Sequence, residues 1–274
     1  MSLVGAHIKS DIDDIIHQAK IIKEHNGNII QIFVNISSKK SRDIYKQLCT
    51  FLVENKMKCV VHASYTINCA QNWTHHSWWI RQFIMEIEYA SMIGAIGIVV
   101  HLGKQMDLST QEALNNMYMS FLYCHSQTKL SNVKILIETS TGQGTEMCFE
   151  LDNLAHFYNK FAKHTNKNIA NRFGLCLDTC HIFAAGYDIR GEENIKSYIK
   201  YFDEQIGLEH IKLIHLNDSY KDLASKVDRH SNLGDGFIGN ESLIMMASFF
   251  KKLNIPLILE TPSTGILKDL EKII

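Results

Sequence analysis

Acidic residues and histidines follow several short apolar runs of this chain, directly where each run ends. The most crowded example, residues 175–187, reads LCLDTCHIFAAGY and places Asp178, Cys180 and His181 within four positions. Three kinds of site fit such a stretch: a Cys/His metal site, a cysteine nucleophile with its base, or a site that uses only the carboxylate and the imidazole. The remaining runs bear on this choice.

Six consecutive apolar runs end in ionisable side chains, and the loop after one of them adds two more. Together they supply five imidazoles and four carboxylates: His62, His101, Glu138, Asp178, His181, His215, Asp228, His230 and Glu260. Burying so many ionisable groups independently would be too costly, so we expect them to be paired or bound to metal. Imidazole and carboxylate groups are ligands of zinc and manganese, and nine of them suffice for two or three ions.

The charge balance points to an anionic substrate at a local site. Three divalent cations among four carboxylates would leave a net positive pocket if the imidazoles are neutral. The whole chain has a formal net charge of −1, from 28 basic and 29 acidic residues, and this argues against a general polyanion binder. Metal clusters of this kind serve phosphoryl chemistry, in which they activate water and stabilise the entering and leaving oxygens.

Apolar runs and helical segments alternate along the chain. None of the runs alternates cleanly between apolar and polar residues, so both faces of each strand are predicted to be buried, as in a parallel sheet. The predicted strands are Val4–Ile8, Ile29–Val34, Cys59–His62, Ile96–His101, Val133–Ile137, Phe173–Leu177, Ile211–Leu216 and Pro256–Leu259. The predicted helices are Asp11–His25, Ser77–Ile93, Thr110–Tyr123, Leu151–Phe161, Ile195–Ile206 and Glu241–Leu253.

Eight predicted strands, most of them followed by a helix, predict a (β/α)₈ TIM barrel, an α/β fold, with one domain over residues 1–274. A doubly wound open sheet is the competing architecture. The ionisable residues favour the barrel, because there the ends of many different strands surround one mouth, whereas an open sheet gathers its site from few strands.

The cysteines and the distribution of apolar residues bear on the compartment. Seven cysteines without paired spacing indicate free thiols in a reducing compartment. The start of the chain lacks the charged and apolar regions of a signal peptide, and the apolar runs are too short to span a bilayer. We therefore expect an intracellular protein that is not secreted and has no membrane partner. Separately, we expect the protein to be a monomer.

Several motifs resemble those of the apurinic/apyrimidinic endonuclease IV family in order and spacing. They are GAHIK, VVHASYTIN, VVHLGK, IETSTGQGTE, LCLDTCHIFAAGYD, HLNDS, DRHSNLGDG and LETP, and they cover nearly the whole chain. The resemblance implies a (β/α)₈ barrel with three Zn²⁺ ions, with Mn²⁺ as an alternative at some positions. It also implies hydrolysis of double-stranded DNA on the 5′ side of an abasic site, leaving a 3′-hydroxyl and a 5′-deoxyribose phosphate.

By motif position, the resemblance implies which residues would share each ion. Glu138 would bridge the first two ions, and a metal-activated hydroxide would attack the phosphorus with Glu138, Asp178 and Glu260 as the catalytic carboxylates. The implied sets are His62, His101 and Glu138; Glu138, Asp178, His215 and Glu260; and His181, Asp228 and His230. In the opening stretch, Asp178 and His181 would then serve different ions, and Cys180 would bind none.

Departures from the family pattern fall mainly in the expected DNA contacts. Thr66 stands where Leu is common, and Ser38 stands near the position of an Arg that fills the base stack. Near Ser38, the basic residues Lys39, Lys40 and Arg42 are predicted to take the place of that Arg. The other predicted DNA contacts are Tyr65, Thr66, Trp73, Lys104 and Arg229.

Two other functions fit parts of the pattern. A sugar isomerase or epimerase of similar barrel architecture would use one or two metals, and would leave the set His181, Asp228 and His230 without a role. A lesion-binding protein that does not cut DNA would bind abasic sites without product, although it would not need the complete ligand set.

Overall fold

Eight parallel strands form a closed barrel in the computed structural model, which describes residues 2–9, 11–37 and 40–274. The predicted TIM barrel is thereby confirmed, and each predicted apolar run overlaps one barrel strand. In order around the barrel, the strands are β1 (Val4–Ile8), β2 (Ile29–Phe33), β3 (Lys58–His62), β4 (Gly97–Val100), β5 (Lys134–Glu138), β6 (Phe173–Asp178), β7 (Ile211–His215) and β10 (Leu257–Leu259). Closure is completed by parallel pairing of β10 with β1.

Helices connect the strands and cover the outside of the barrel. They are α1 (Ile15–Glu24), α2 (Ser41–Glu54), α3 (Trp78–Ile93), α4 (Thr110–Gln127), α5 (Leu151–Ala162), α6 (Lys167–Ala170), α7 (Thr179–Ala185), α8 (Gly191–Gln205), α9 (Asn240–Lys252) and α10 (Ile266–Ile273). Local sequence sets some of their ends. Ser109 and Glu112 form a capping box at the start of α4, and Gly94 ends α3 with a left-handed φ of 78°.

The sequence prediction lacked four of these helices, namely α2, α6, α7 and α10. Buried residues of α2, such as Tyr45, Leu48 and Leu52, do follow helical spacing, so this helix carried a readable signal. The helices α6 and α7 have only four and seven residues, too few for a periodic pattern to emerge.

One layer of apolar side chains fills the interior of the barrel. It is formed by one residue from each of seven strands: Ile29, Val60, Val99, Leu136, Cys176, Leu213 and Ile258. A second, larger apolar layer lies between the outside of the strands and the helices. The barrel is therefore a packed core and not a pore, as is usual for this architecture.

A small antiparallel pair lies beyond the end of β7. Its strands are β8 (Asp218–Ser219) and β9 (His230–Ser231), and they close the loop that carries Asp228. Among the described residues, no helix is long and apolar enough to cross a membrane.

Candidate metal centre

The polar residues at the strand ends lie directly above the interior apolar layer. Side chains two positions apart along a strand point to the same face. His62, His101 and Glu138 each follow an interior residue by two positions, and so do Asp178, His215 and Glu260. Strand geometry alone therefore directs these six side chains from six strands or strand ends toward the barrel axis.

Glu138 lies at the meeting point of the first two ligand groups. Its Oε2 is 3.3 Å from Nε2 of His62 and 3.2 Å from Nε2 of His101. Its Oε1 is 2.7 Å from Nδ1 of His215. The two carboxylate oxygens thus face different sets of imidazoles, as a carboxylate that bridges two ions must.

The second group comprises Glu138, Asp178, His215 and Glu260, all of them buried. Nδ1 of His215 is 3.2 Å from Oε2 of Glu260 and 3.9 Å from Oδ2 of Asp178. One ligand atom from each of the four residues lies within 4.8 Å of the others. Four oxygen and nitrogen atoms at this spacing can share one divalent cation.

Asp228 brings together the third set. Its Oδ1 is 3.4 Å from Nε2 of His181 and 3.3 Å from Nε2 of His230. Both of these imidazole nitrogens are buried and lack a hydrogen-bond partner. Buried polar atoms are normally paired. The two unpaired nitrogens are therefore available to bind a metal ion.

Hydrogen bonds determine which nitrogen three of the imidazoles present to the centre. Nδ1 of His62 lies 2.8 Å from the carbonyl of Ala63, and Nδ1 of His181 lies 2.7 Å from the carbonyl of Thr139. A carbonyl oxygen can only accept, so these nitrogens carry the hydrogen. In the neutral imidazole the opposite nitrogen then holds a lone pair.

His215 has the reverse orientation. Its Nε2 donates to Oε1 of Gln31 at 2.8 Å, so its Nδ1 is the nitrogen that faces the carboxylates. Lone pairs and carboxylate oxygens repel each other unless a proton or a cation lies between them. The three imidazole orientations and the carboxylates therefore fit bound divalent metal.

The carboxylates retain their negative charge despite burial. Burial by itself would raise the pKa of Glu138, but His101 and His215 outweigh this effect and hold the pKa well below its usual range. Burial is likewise outweighed at Asp228, where His181 and His230 lower the pKa of the carboxyl. The centre thus presents ionised carboxylates to an incoming cation.

Asp178 has a second role, which the sequence prediction missed. It ends β6 and is the N-cap of α7, because its Oδ1 accepts from the backbone N–H of His181 at 3.0 Å. The three-residue spacing between Asp178 and His181 is therefore the spacing between the N-cap of a helix and the residue whose backbone N–H it accepts. Asp178 belongs to the second group, and its Oδ2 also lies 3.5 Å from Nε2 of His230, so that it forms a further possible metal-binding group with His181 and His230.

Two buried amides also join the ligand groups, and neither was among the predicted site residues. Gln31 donates to Oε1 of Glu260 at 2.6 Å and to Nδ1 of His7 at 2.9 Å. Asn217 donates to Oδ2 of Asp178 at 2.6 Å and accepts from the backbone N–H of Glu260 at 2.8 Å. The sequence did carry a signal for Gln31, because this residue is a polar side chain inside the apolar run NIIQIF. A buried polar side chain needs a hydrogen-bond partner.

Some of the predicted DNA contacts surround the mouth. Tyr65 is 71% exposed, and its ring lies 5.6 Å from that of His62 and 6.2 Å from that of His101. Tyr65, Lys104 and Arg229 line one cavity of about 380 Å³ together with ligand residues. Thr66 is exposed beside Tyr65, and its hydroxyl lies 2.7 Å from that of Ser64.

Two of the other predicted DNA contacts, Trp73 and Arg42, pack against helix residues away from the ligand groups. Trp73 is half-buried, and its ring packs 5.3 Å from that of Tyr123 in the last turns of α4. Arg42 is exposed on α2, near Tyr89 of α3. Lys40 is exposed at the start of α2, and Lys39, like Ser38, lies outside the described residues.

Sequence comparisons relate the chain to proteins named endonuclease 4. A Mycoplasma mobile protein named "Probable endonuclease 4" is 34% identical over 270 residues, which cover 95% of this chain and 91% of the relative. A protein of the same name from Mycoplasmopsis agalactiae is 40% identical over 203 residues, which cover 74% of this chain and 68% of the relative.

Solved structures share the fold. Endonuclease IV from Thermus thermophilus matches with a TM-score of 0.76 and 23% identity, over 98% of this chain and 97% of that one. A D-tagatose 3-epimerase-like protein matches with a TM-score of 0.72 and 18% identity, over 99% of this chain and 95% of that one. The profile of the xylose isomerase-like TIM barrel family matches residues 19–273. The chain therefore belongs to the endonuclease IV family of xylose isomerase-like TIM barrels.

Proposed function

We propose that this chain is a DNA-repair endonuclease that hydrolyses the phosphodiester bond 5′ to an abasic site and leaves a 3′-hydroxyl. The observation that carries the proposal is the convergence of nine ionisable side chains into three adjoining groups, with Glu138 facing two of them. Proteins named endonuclease 4, at 34% and 40% identity, support the same reaction class.

Each ligand group would hold one zinc ion, giving three per chain, with manganese as a substitute at some positions. Such ions would lower the pKa of water and offset charge on the phosphate. The residues would divide as His62, His101 and Glu138; Glu138, Asp178, His215 and Glu260; and His181, Asp228 and His230. The catalytic carboxylates Glu138, Asp178 and Glu260 would fix the spacing of the ions.

Residues at the mouth would bind and orient the DNA. Tyr65 offers an exposed aromatic face beside His62 and His101, suited to the sugar of an extruded abasic nucleotide. Lys104 and Arg229 line the same cavity and would contact phosphates. An abasic nucleotide has no base to unstack, so its extrusion costs less than that of a paired nucleotide.

The alternative of a sugar epimerase rests on likeness of fold alone, since those structures share 18% identity or less with this chain. The third set, His181, Asp228 and His230, favours the endonuclease, because one or two metals suffice for epimerisation. We further propose that residues 1–274 form a single domain, and that the protein acts as an intracellular monomer on double-stranded DNA.

Incision of a duplex with one abasic analogue tests the proposed reaction. The purified, zinc-loaded chain should cut the labelled strand on the 5′ side of the analogue, and metal analysis should find about three ions per chain. Asp228→Ala and Glu260→Gln should each lower the metal content and abolish detectable incision, because each removes a ligand oxygen from a buried group.

Matched controls come from exposed carboxylates. The control variants are Asp222→Ala and Glu193→Gln. Asp222 lies in the same loop as Asp228, and Glu193 lies on α8 with its side chain 89% exposed. Both should keep metal and activity. An intact duplex after incubation with fully loaded wild-type protein would contradict the proposed function, and abasic-site binding without a cut would favour the lesion-binding alternative.

A further inference from the structure

A second polar cavity lies at the opposite end of the barrel from the metal centre. It has a volume of about 670 Å³ and is lined by basic groups together with asparagines and serines. Its position follows from the strands: Lys134 begins β5, which ends at Glu138, and Arg172 precedes β6, which ends at Asp178. The length of β5 separates the two sites by about 13 Å at 3.3 Å per residue.

The basic groups of this cavity have no negative partner. Lys129, Lys134 and Arg172 line it, and none of its lining residues is acidic. Among the described residues, none of the three lies within 4.0 Å of a carboxylate oxygen. Arg172 is only 6% exposed, so its charge is buried without a counter-ion. A buried, unpaired charge is costly unless something compensates for it.

Neutral groups hold these side chains in place and leave the charge uncompensated. The guanidinium of Arg172 donates through Nη1 to the carbonyl of Ser131 and through Nη2 to Oγ1 of Thr128 at 3.0 Å. Its Nε is buried without a partner, and so is Nδ1 of His125, which lines the same cavity. Lys134 donates to the carbonyl of Asn171.

Burial and repulsion between neighbouring positive charges lower the pKa of two side chains that line the cavity, and this repulsion indicates a positive electrostatic potential there. Burial, followed by the charges of Lys212 and Arg172, lowers the pKa of Lys134. Burial, followed by the charges of Arg172 and His164, lowers the pKa of His125. An anion in the cavity would relieve this repulsion and accept hydrogen bonds from lysine, arginine and asparagine side chains.

We propose that this cavity binds a phosphate group, carried by a small phosphate monoester, at a site distinct from the metal centre. The volume falls within the usual range of small-molecule sites, about 300–1,000 Å³. Arg172 supplies a fixed, planar donor at depth, which suits a compact oxyanion. The same chemistry could recognise a phosphate of the DNA backbone, and the test below distinguishes these two sources.

Amide chemical shifts of the full-length, zinc-loaded protein test the proposal. Phosphate would also reach the metal centre, so a localised readout is needed. Inorganic phosphate and adenosine monophosphate, added at constant ionic strength, should shift the amides of Ser131, Asn168 and Asn171 saturably. Lys134→Gln should weaken this binding about tenfold, because it removes a charged donor.

Lys46→Gln is the matched control, since it removes an exposed lysine of α2 outside the cavity, and its binding should equal wild type. If a short undamaged duplex shifts these amides and the small phosphates do not, the ligand is a phosphate of the DNA backbone, and the small phosphate monoester is overturned. No shift with any probe, or equal binding by Lys134→Gln and Lys46→Gln, would overturn the proposal. Incision is not the readout, and Lys134→Gln should still cut abasic DNA.

Discussion

Three of the five imidazoles of the candidate centre, those of His62, His181 and His215, present one nitrogen because a neighbour engages the other. Carbonyl groups hold Nδ1 of His62 and His181, and Gln31 holds Nε2 of His215. Cys180 lies between two ligand residues, and its Sγ is within 4.8 Å of ligand atoms of Asp228 and His230. The same thiol lies 3.6 Å from the carbonyl of Arg229, which gives it a structural partner.

Cys180→Ser separates a ligand role from a structural one. We expect the serine variant to keep its zinc content and its incision rate, with stability changed by at most about 1 kcal/mol, because the hydroxyl can donate to the same carbonyl. Metal analysis and abasic-site incision measure the outcome, with Cys49→Ser on α2 as the control. Loss of about one zinc ion would instead identify Cys180 as a ligand.

At the level of elements, one buried carboxylate organises the loop between β9 and α9. Oδ2 of Asp218 accepts from the backbone N–H groups of Gly234 and Gly236 at 2.9 and 3.1 Å, and Oδ1 accepts from that of Ile238 at 3.0 Å. Asp218 also belongs to β8, which pairs with the strand that carries His230. It therefore links the loop to the third ligand group.

Asp218→Asn should loosen this loop. The new amide would turn a donor toward backbone donors, at a cost of about 1–3 kcal/mol. We expect faster hydrogen exchange at residues 232–239 and weaker binding of the third zinc ion. Asp235→Asn, an exposed change in the same loop, is the control. Unchanged exchange in Asp218→Asn would mean that the loop is held by other contacts.

At the scale of the whole molecule, a chain with net charge −1 would have to attract the proposed DNA substrate through local charge. The proposed metal centre and the cations Lys104 and Arg229 at its mouth provide that charge, although Lys104 lies 3.7 Å from Glu146. Basic residues at the other end of the barrel do not face the mouth. Binding of DNA should therefore be directional and governed by phosphate contacts at the mouth.

Salt dependence measures those contacts. Affinity for a duplex with a phosphorothioate linkage 5′ to an abasic analogue should fall steeply as salt rises, because counter-ions leave the DNA on binding. Lys104→Gln should lower the slope of log K against log salt by about one unit. Fluorescence anisotropy provides the measurement, and Lys46→Gln the control. A flat response would indicate a small neutral substrate.

Several features were readable from the sequence because they depend on local patterns. The eight apolar runs predicted the barrel, and the ligand types followed from what stands at each strand end. Side chains two positions apart on a strand point to the same face, so the sequence also implies that Glu138 lies on the same face as Leu136 of the interior layer. Short helices such as α7, and the capping role of Asp178, escaped prediction because one or two turns carry no periodicity.

The tertiary structure decided how those side chains combine. Closure and strand register bring His62, Glu138 and His215 together from positions far apart in the chain. The same contacts select the free nitrogen of His62, His181 and His215, and they place Gln31 and Asn217 between candidate ligands. No single strand contains that information, since hydrogen bonds between distant segments depend on the relative positions of both partners. The sequence by itself determined the types of the candidate ligands, and only the folded barrel determined their grouping.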